Sequence, residues 1–222
     1  MNDRVLSILV LVSTVATIAF NAFAAVGNIN GVSPATVSDK YPTVVTPAGY
    51  TFSIWSLIYV GMIAFSIYQT LPSKLEMLRS VRLPFILSCV LNCAWILLWH
   101  HWFIGTCVIV IAALWASLLV ANVKLGEAST AFEALMTKAP LGLYFGWVTA
   151  ATLVNFAVYL SSVDVQLTSV QWNILGIAML AIEHLQQQSQ SCVLGKCRCA
   201  FAAGWNRFAQ PVAKLHQPFV AG

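Results

Sequence analysis

The sequence predicts an all-α integral membrane protein, folded as a bundle of transmembrane helices. Of its 222 residues, 59% are hydrophobic and only 8% are charged, and the mean hydropathy is +0.82. Soluble domains carry about 25% charged residues, so the solvent for this surface must be the bilayer. The charges stand between long uncharged segments. At about 20 apolar residues per span, the chain accommodates roughly five to seven helices and no separate soluble domain.

The first two spans follow from long uncharged segments near the N-terminus. Residues 5–26 have the length of one span and are followed by residues 27–34, whose Gly, Asn and Pro are typical of a loop. A second apolar run over residues 50–71 begins just after Pro47 and Gly49, which indicate the entry into a helix. We therefore predict helix one at 5–26 and helix two at 50–71.

The later spans follow from the same rule. Residues 83–123 contain no Lys, Arg, Asp or Glu, and the polar break at 99–102 predicts a tight turn between helices three and four. Helix five is predicted over 139–162, where Pro140 is tolerated because the first turn of a helix leaves N–H groups unpaired. A sixth helix is predicted over 165–182, which carries Gln and Asn but no charge.

Charge asymmetry favours the sixth helix, because cytoplasmic loops near membrane ends are enriched in Lys and Arg. With six spans, ten of the eleven Lys and Arg residues lie on the side that holds both termini, and only Lys40 lies on the other. Without the sixth helix, the split would be six against five. We therefore predict that both termini are cytoplasmic, and the pattern suits the inner (plasma) membrane of a bacterium.

A cleaved signal peptide is an alternative for the N-terminus. Arg4 precedes an apolar run that ends in Ala22-Phe23-Ala24, a small-x-small cleavage pattern. The apolar region of a signal peptide has about 7 to 15 residues, whereas this run is long enough to span a bilayer. The sequence favours a retained first helix.

The predicted spans contain no Asp, Glu, Lys or Arg, and Glu183 and His184 lie only at the end of helix six. Ion-coupled transporters and intramembrane hydrolases carry buried ionisable groups, so we predict no acid–base catalysis and no enzyme activity. His100 and His101 are adjacent and diverge by about 100° on a helix, so no metal site is predicted there. The net charge of +4 forms no basic stripe, and no nucleic acid partner is predicted.

The six cysteines fall into two groups. Cys89, Cys93 and Cys107 lie within helices three and four, where small thiols are ordinary packing residues. The cysteines of the tail lack the C-x-x-C spacing of zinc sites, but they flank Lys196 and Arg198, a setting in which palmitoylation is the alternative to zinc binding. These tail residues are Cys192, Cys197 and Cys199.

Three predicted helices carry aromatic residues in register on one face. One interpretation is packing, because Trp and Tyr form interfacial belts and Asn bonds between helices. The other is an apolar pocket with a few polar groups, in which a flat aromatic ligand would stack. The stripes consist of Phe52, Trp55, Tyr59 and Met62 in helix two, Asn92, Trp95 and Trp99 in helix three, and Tyr144, Trp147, Ala151 and Asn155 in helix five.

The same residues carry a family resemblance. The chain reads TPAGYTFSIWSLIYVGM at residues 46–62, NCAW at 92–95 and APLGLYFGWVTAATLVN at 139–155. These segments resemble, in order, the loop and second-helix signature, the third-helix Asn-x-x-Trp element and the fifth-helix motif of the TspO/MBR family of tryptophan-rich sensory proteins and translocator proteins. The resemblance covers residues 5–162, and three motifs in order are more specific than any one of them.

The resemblance implies a TspO-like five-helix transmembrane core at residues 1–162, often dimeric, to which this chain adds a sixth helix at 163–187 and a cytoplasmic tail at 188–222. It implies non-covalent binding of a porphyrin, haem or related tetrapyrrole, or in some members a sterol, beneath the first loop. Some relatives are described as promoting light-dependent porphyrin breakdown. By motif and stripe, the predicted ligand-binding residues are Pro47, Gly49, Phe52, Trp55, Tyr59, Asn92, Trp95, Tyr144, Trp147 and Asn155.

The chain departs from the family pattern in its first loop and in its sterol motif. Pro47 stands alone where the family usually has a pair of prolines, and Tyr50 replaces a common tryptophan, so the shape of the lid is expected to differ. Val154 and Tyr159 begin a sterol-type pattern that no Lys or Arg completes. These departures indicate a divergent, longer branch whose ligand can differ.

Two classes of function fit the sequence. The first is a sensor, receptor or carrier that binds a tetrapyrrole-like or other apolar aromatic molecule. The second is a structural or assembly subunit that packs against other membrane proteins or pigments. The direction of the stripes separates them: convergence of Trp55, Trp95 and Trp147 inside one monomer favours binding, and an outward direction favours an interface.

Overall fold

The long apolar segments fold as α-helices, because a helix satisfies its backbone hydrogen bonds within one segment, as hydrocarbon requires. The computed structural model describes residues 2–43 and 45–165, and eight further residues between 168 and 181. Short 3₁₀-helices at Gly49–Ser53 and Pro72–Lys74 flank α3. The α-helices of the described residues are α1 (Asp3–Ala25), α2 (Pro34–Lys40), α3 (Ile54–Tyr68), α4 (Arg79–His100), α5 (Ile104–Lys124), α6 (Ala131–Met136) and α7 (Lys138–Ser162).

Five helical segments of the described residues are long and apolar enough to cross a membrane, which confirms the first five predicted spans. The bounds differ most for predicted helix two, 50–71, because its first turn is the 3₁₀-helix and α3 ends at Tyr68. The turn predicted at 99–102 is confirmed, since Trp102 adopts a left-handed φ of 64° between α4 and α5. The five segments are Asp3–Ala25, Gly49–Tyr68, Arg79–His100, Ile104–Lys124 and Ala131–Ser162.

The predicted sixth helix and the Cys-containing tail lie outside the described residues, apart from the few between 168 and 181. Among those few, the Thr168 backbone N–H donates to Gln171 Oε1 at 2.9 Å, and the Gln171 N–H donates to Thr168 Oγ1 at 3.4 Å. This reciprocal pair is the capping box that is typical of a helix start. The span over 163–187 stays a prediction, as do the tail at 188–222 and the roles of its cysteines.

The two short loop helices, α2 and α6, have seven and six residues and are not predicted by the length of an apolar run. Their capping residues are the sequence signal that could have predicted them. Ser33 Oγ accepts the Thr36 N–H at 3.2 Å to cap α2, and Pro34 takes the first helical position. Thr130 Oγ1 accepts the Glu133 N–H at 3.1 Å to cap α6. Each cap satisfies a backbone donor that the first turn leaves unpaired.

The membrane-spanning helices close into a ring. α1 packs against α3 and α4, α4 packs against α5, α5 packs against α7, and α7 returns to α3. Buried polar bonds join neighbouring helices: the Thr14 and Ser66 hydroxyls lie 2.6 Å apart between α1 and α3, and the Trp115 indole donates to Thr149 at 3.0 Å between α5 and α7. Such bonds are typical of membrane bundles. Moving apolar side chains from lipid into the bundle gains little free energy, so hydrogen bonds and close packing contribute much of the association of the helices.

Charged residues mark the two ends of the ring. At one end, Lys40 Nζ lies 4.3 Å from the centre of the Trp102 ring, so the first loop lies beside the α4–α5 turn. At the other end, Arg79 Nε pairs with Asp3 Oδ1 at 2.6 Å, which joins the beginnings of α1 and α4. The loops therefore alternate between the two ends, as a sequence of spans requires.

The short helix α6 is tied to the end of α3. Lys74 Nζ lies 3.4 Å from the Glu133 carboxylate and 5.4 Å from the centre of the Tyr68 ring. Hydrogen bonding to the Tyr68 hydroxyl, and then to Glu133, raises the pKa of Lys74 against an opposing desolvation effect, so this lysine stays charged. Tyr68 also meets Phe132 of α6 edge-on at 6.0 Å.

The prediction that no span carries Lys, Arg, Asp or Glu is wrong at the span ends. α4 begins at Arg79 and includes Arg82, whose side chain is 0% exposed. Arg82 Nε donates to Gln69 Oε1 at 2.8 Å, and its Nη1 lies 3.7 Å from Asp3 Oδ1. Gln69 is the C-cap of α3, so the guanidinium lies at the negative end of that helix dipole. Polar partners of this kind allow a charge to be buried within a span helix.

Candidate functional site

Aromatic side chains of α3, of the 3₁₀-helix that precedes it and of α7 form one group, the aromatic cluster, made of Phe52, Trp55, Tyr59, Tyr144 and Trp147. The Trp55 ring stacks on Tyr59 with 5.5 Å between centroids, and it meets Tyr144 and Trp147 edge-on at 6.0 and 6.3 Å. Phe52 meets Trp147 edge-on at 6.3 Å. Stacked and edge-on pairs are the arrangements that aromatic quadrupoles favour. The stripes predicted on helices two and five therefore meet.

A close approach of two backbones sets the spacing of these helices. A Cβ atom at Gly61 of α3 would lie 3.1 Å from Pro140 Cβ and 3.3 Å from Pro140 Cα of α7. Small residues allow helix backbones to come this near in a membrane. Because α3 and α7 run antiparallel, this contact lies on the side of the Trp55 and Trp147 pair where α3 ends and α7 begins, and it holds the two stripes within reach of each other.

The stripe predicted on helix three lies on α4 and contacts both α7 and α1. Trp95 is 5% exposed, and its indole N–H donates to Asn155 Oδ1 at 2.9 Å, while its ring stacks on Trp99 with 5.7 Å between centroids. Asn92 is fully buried, and its Oδ1 accepts from Asn21 Nδ2 at 2.6 Å. Two amides of the predicted stripes are therefore engaged in bonds between helices.

The three stripes converge inside the ring of one monomer. Trp55 and Trp147 contact each other in the aromatic cluster, and Trp95 reaches α7 through Asn155. The buried Tyr144 side chain has Asn92 of α4 among its polar neighbours. Of the three tryptophans that separate the candidate functions, Trp95 is buried, whereas Trp55 and Trp147 are half-buried and contact each other.

The two predicted lid residues lie where the first loop enters α3. Pro47 is half-buried, and Gly49 is exposed, with no heavy atom within 4 Å of a Cβ built on it. The neighbouring Tyr50 is 80% exposed. The role of Pro47 and Gly49 in shaping a lid stays a prediction.

The sequence reasoning missed the contribution of α1 to the interior. Asn21 bonds to the Asn92 side chain, and the Cys93 thiol lies 3.6 Å from Thr17 Oγ1. A usable signal is present in the spacing i, i+3, i+7 and i+10 of small and polar residues, which is the spacing of one helix face. These buried residues are Thr14, Thr17, Asn21 and Ala24.

The thiols and imidazoles of the described spans lie in different environments. Cys89 and Cys107 are buried and Cys93 is half-buried, and all three are free thiols, which agrees with packing. His100 is fully buried with Nδ1 2.7 Å from the Ile96 carbonyl, whereas His101 is exposed. Within the described part of the chain, no group of three or more His, Cys, Asp or Glu residues is placed to hold a metal ion.

A ring of membrane-spanning helices with aromatic and amide side chains in its interior defines the class, an α-helical multi-pass integral membrane protein. A family model described as TSPO-like protein matches residues 7–195 of the chain. The chain belongs to this TSPO-like family, which confirms the resemblance carried by the three motifs. The match extends past the five-helix core into the segment of the predicted sixth helix. No curated protein and no solved structure matches the chain.

Proposed function

We propose that this protein binds a tetrapyrrole-like or other flat, apolar aromatic ligand inside the helix ring and acts as a sensor, receptor or carrier for it. The observation that carries the proposal is the position of Trp55, whose ring contacts Tyr59, Tyr144 and Trp147 from two facing helices. Offset and edge-on aromatic surfaces suit a flat conjugated molecule, which gains both apolar burial and ring contacts.

The composition of the interior supports a small-molecule site. Such sites are mostly apolar, with a few polar groups that fix orientation, and the aromatic cluster has the Asn92 amide beside it. A porphyrin or haem-like ligand would be held without a covalent bond. The proposal is of a binding protein rather than an enzyme, because these residues supply surfaces for stacking and hydrogen bonding and no acid–base pair.

The assembly alternative receives less support. It needs the aromatic stripes to point away from the bundle, whereas Trp95 and Tyr144 are 5% and 1% exposed. The exposed surfaces of α1 and α4 are instead aliphatic, with Val12 and Val15 on α1 and Leu87 and Val90 on α4. These side chains suit contact with membrane lipid or with a second copy of the chain, so homodimer formation is part of the proposal.

The proposed setting is a bacterial inner membrane with both termini in the cytoplasm. Its support is the separation of charge along the ring axis. Arg79 and Lys74 form their ion pairs at one end, and Lys40 lies over Trp102 at the other. Cytoplasmic loops are enriched in Lys and Arg, so the first of these ends is assigned to the cytoplasm.

The test is a titration of the detergent-purified protein with protoporphyrin IX and with haem, followed by tryptophan quenching and by shifts of the Soret band. We expect saturable binding that weakens about three- to tenfold in Trp55→Phe and in Trp147→Phe, because each loses part of a stacking surface. The matched control is Trp115→Phe, since this half-buried indole packs against Phe145 and bonds to Thr149 between α5 and α7.

Two results would contradict the proposal. One is the lack of saturation with either ligand, which would move the assignment to a different ligand class or to assembly. The other is equal binding by wild type, both cluster variants and the Trp115 control, which would place the ligand away from the aromatic cluster.

A further inference from the structure

A groove of about 610 Å³, the α4–α5 groove, runs along the outer junction of α4 and α5. Its wall on α4 is a row of leucines one helical turn apart, Leu83, Leu87 and Leu91. Leu83 and Leu87 are 59% and 50% exposed, so the groove opens toward the surface that membrane lipid covers on a spanning helix. No residue of the aromatic cluster lines this groove, which makes it a separate feature of the molecule.

Small side chains on α5 give the groove its depth. Ala113, Ala116 and Ser117 line it opposite the leucines. The Ser117 hydroxyl donates to the Leu114 carbonyl of its own helix at 2.7 Å, so it needs no partner from outside. The interior therefore offers contact with hydrocarbon, which suits an aliphatic chain better than a polar ligand.

The length of the groove matches one leaflet of a bilayer. Ala113 and Lys124 both line it and lie near its two ends. Between these two residues α5 rises about 16 Å, at 1.5 Å per residue. Half of a hydrocarbon core of about 30 Å is about 15 Å. A lipid chain that enters at the Lys124 end would therefore stay in the groove down to the middle of the membrane.

Positive charge marks the end of the groove at which both helices reach the membrane surface. Lys124 is the last residue of α5 and is exposed, and among the described residues its ammonium group forms no ion pair. The Ser80 hydroxyl donates to the Lys124 carbonyl at 3.4 Å, so this end lies beside the beginning of α4. The N-cap of α4, Leu78, provides no side-chain cap, and the positive end of the helix dipole lies there. Both features attract an anion at the depth of lipid headgroups.

We infer that the α4–α5 groove binds one anionic phospholipid from the leaflet at the Lys124 end. An acyl chain lies along the leucines and alanines, and the phosphate lies beside Lys124. Burial of the chain supplies affinity for any phospholipid, whereas the unpaired ammonium selects a lipid with net negative charge over a zwitterionic lipid, which carries its own cation. The inference goes beyond the proposed function, because the groove and the aromatic cluster share no residue.

The test counts the lipids bound to the detergent-purified, full-length protein by native mass spectrometry. Phosphatidylglycerol and phosphatidylcholine with identical palmitoyl and oleoyl chains are titrated separately, so that only the headgroup differs. We expect one phosphatidylglycerol per chain to bind about fivefold more tightly than phosphatidylcholine, the factor that one lysine near an anionic headgroup supplies.

Lys124→Gln tests the contact with the headgroup. It should lower the affinity for phosphatidylglycerol to that for phosphatidylcholine and leave phosphatidylcholine binding unchanged. The matched control is Arg4→Gln, which removes the same charge from an exposed position at the same end of the bundle, on α1, which packs against α3 and α4. The control should keep the full preference for phosphatidylglycerol.

Ala116→Phe tests the contact with the acyl chain. Its ring would fill the groove, so both lipids should bind about tenfold more weakly. The matched control is Ala112→Phe, because Ala112 is an exposed alanine one turn earlier on α5 that does not line the groove. Helix side chains point toward the N-terminus, so the ring at position 112 would point away from the groove. This control should bind both lipids as the wild type does.

Three results would overturn the inference. Equal affinities of the wild type for the two lipids, or a preference for phosphatidylglycerol that survives in Lys124→Gln, would mean that the lysine does not select the headgroup. Unchanged affinities in Ala116→Phe would mean that the lipid lies elsewhere. If Ala116→Phe lowers the fraction of dimers in the same spectra without lowering lipid affinity, the occupant of the groove is a second copy of the chain.

Discussion

At the scale of single residues, the role of a stripe residue depends on its hydrogen-bond partner inside the ring more than on its residue type. Trp95 and Asn155 belong to the stripes that the sequence assigns to a ligand, and in the folded chain they bond to each other at 2.9 Å. Trp147 belongs to the same α7 stripe as Asn155. Residues with the same sequence signature therefore divide into those that hold α4 to α7 and those, such as Trp147, whose buried donor has no hydrogen-bond partner in the described part of the chain.

The bond between Trp95 and Asn155 predicts an energetic coupling between α4 and α7. In a double-mutant cycle of Trp95→Phe and Asn155→Leu, we expect a coupling energy of about 1 kcal/mol, the size typical of hydrogen bonds between membrane helices. The measurement is denaturant unfolding in bicelles of wild type, both single variants and the double variant. Strictly additive effects would mean that the two side chains do not interact.

The buried guanidinium of Arg82 predicts a second effect on stability. Arg82→Met leaves Gln69 and the last turn of α3 without their partner, so we expect a loss of about 3 kcal/mol. The control is Arg79→Met, because Arg79 is 61% exposed and its pair with Asp3 is screened, which limits the loss to about 1 kcal/mol or less. Unfolding curves compare the two, and equal losses would contradict the burial of Arg82.

At the scale of helices, the distance between α3 and α7 is set at Gly61, where no side chain separates the two helices. Gly61 brings α3 against Pro140, and this contact holds two stripes at ring-contact distance. Neither stripe forms a site alone, since Trp55 has ring partners on both helices. The α3–α7 pair is therefore the element on which the candidate site depends.

Enlarging Gly61 should separate this pair. For Gly61→Val we expect a destabilisation of about 1 to 3 kcal/mol, because the added methyl groups meet the Pro140 backbone, together with a change in tryptophan fluorescence and weaker porphyrin binding. Gly146→Ala is the control on α7, since no heavy atom lies within 4 Å of a Cβ there and alanine favours the helix. Normal stability and binding in Gly61→Val would show that the close contact does not set the site.

At the scale of the whole molecule, the ring order creates the interior. α3 and α4 are consecutive spans, and yet α3 packs mainly against α1 and α7 while α4 packs mainly against α1 and α5, and Phe65 of α3 meets Phe85 of α4 at 4.9 Å. This order places three aromatic stripes around one interior and leaves aliphatic faces for lipid. The charged residues of the described chain collect at the ends of the ring.

Reporter fusions test the orientation and the sixth span together. In a bacterial host, alkaline phosphatase fused after Asp164 should be active, which reports an external position, and green fluorescent protein fused after Gly222 should fluoresce in the cytoplasm. A fusion after Gly126, between α5 and α6, is the cytoplasmic control. An active phosphatase at 164 together with a non-fluorescent protein at 222 would remove the sixth span, and reversed signals at all three positions would invert the topology.

The sequence by itself determined the solvent, the five spans of the described chain and the faces of its stripes, because charge-free length and helical periodicity are local properties. It also carried the family through three motifs. Local patterns do not contain the order of helices around the ring or their distances, so only the tertiary structure decided that Asn21 joins Asn92, that Arg82 is buried on the end of α3, and which donors stay unpaired. Those depend on contacts between segments far apart in the chain.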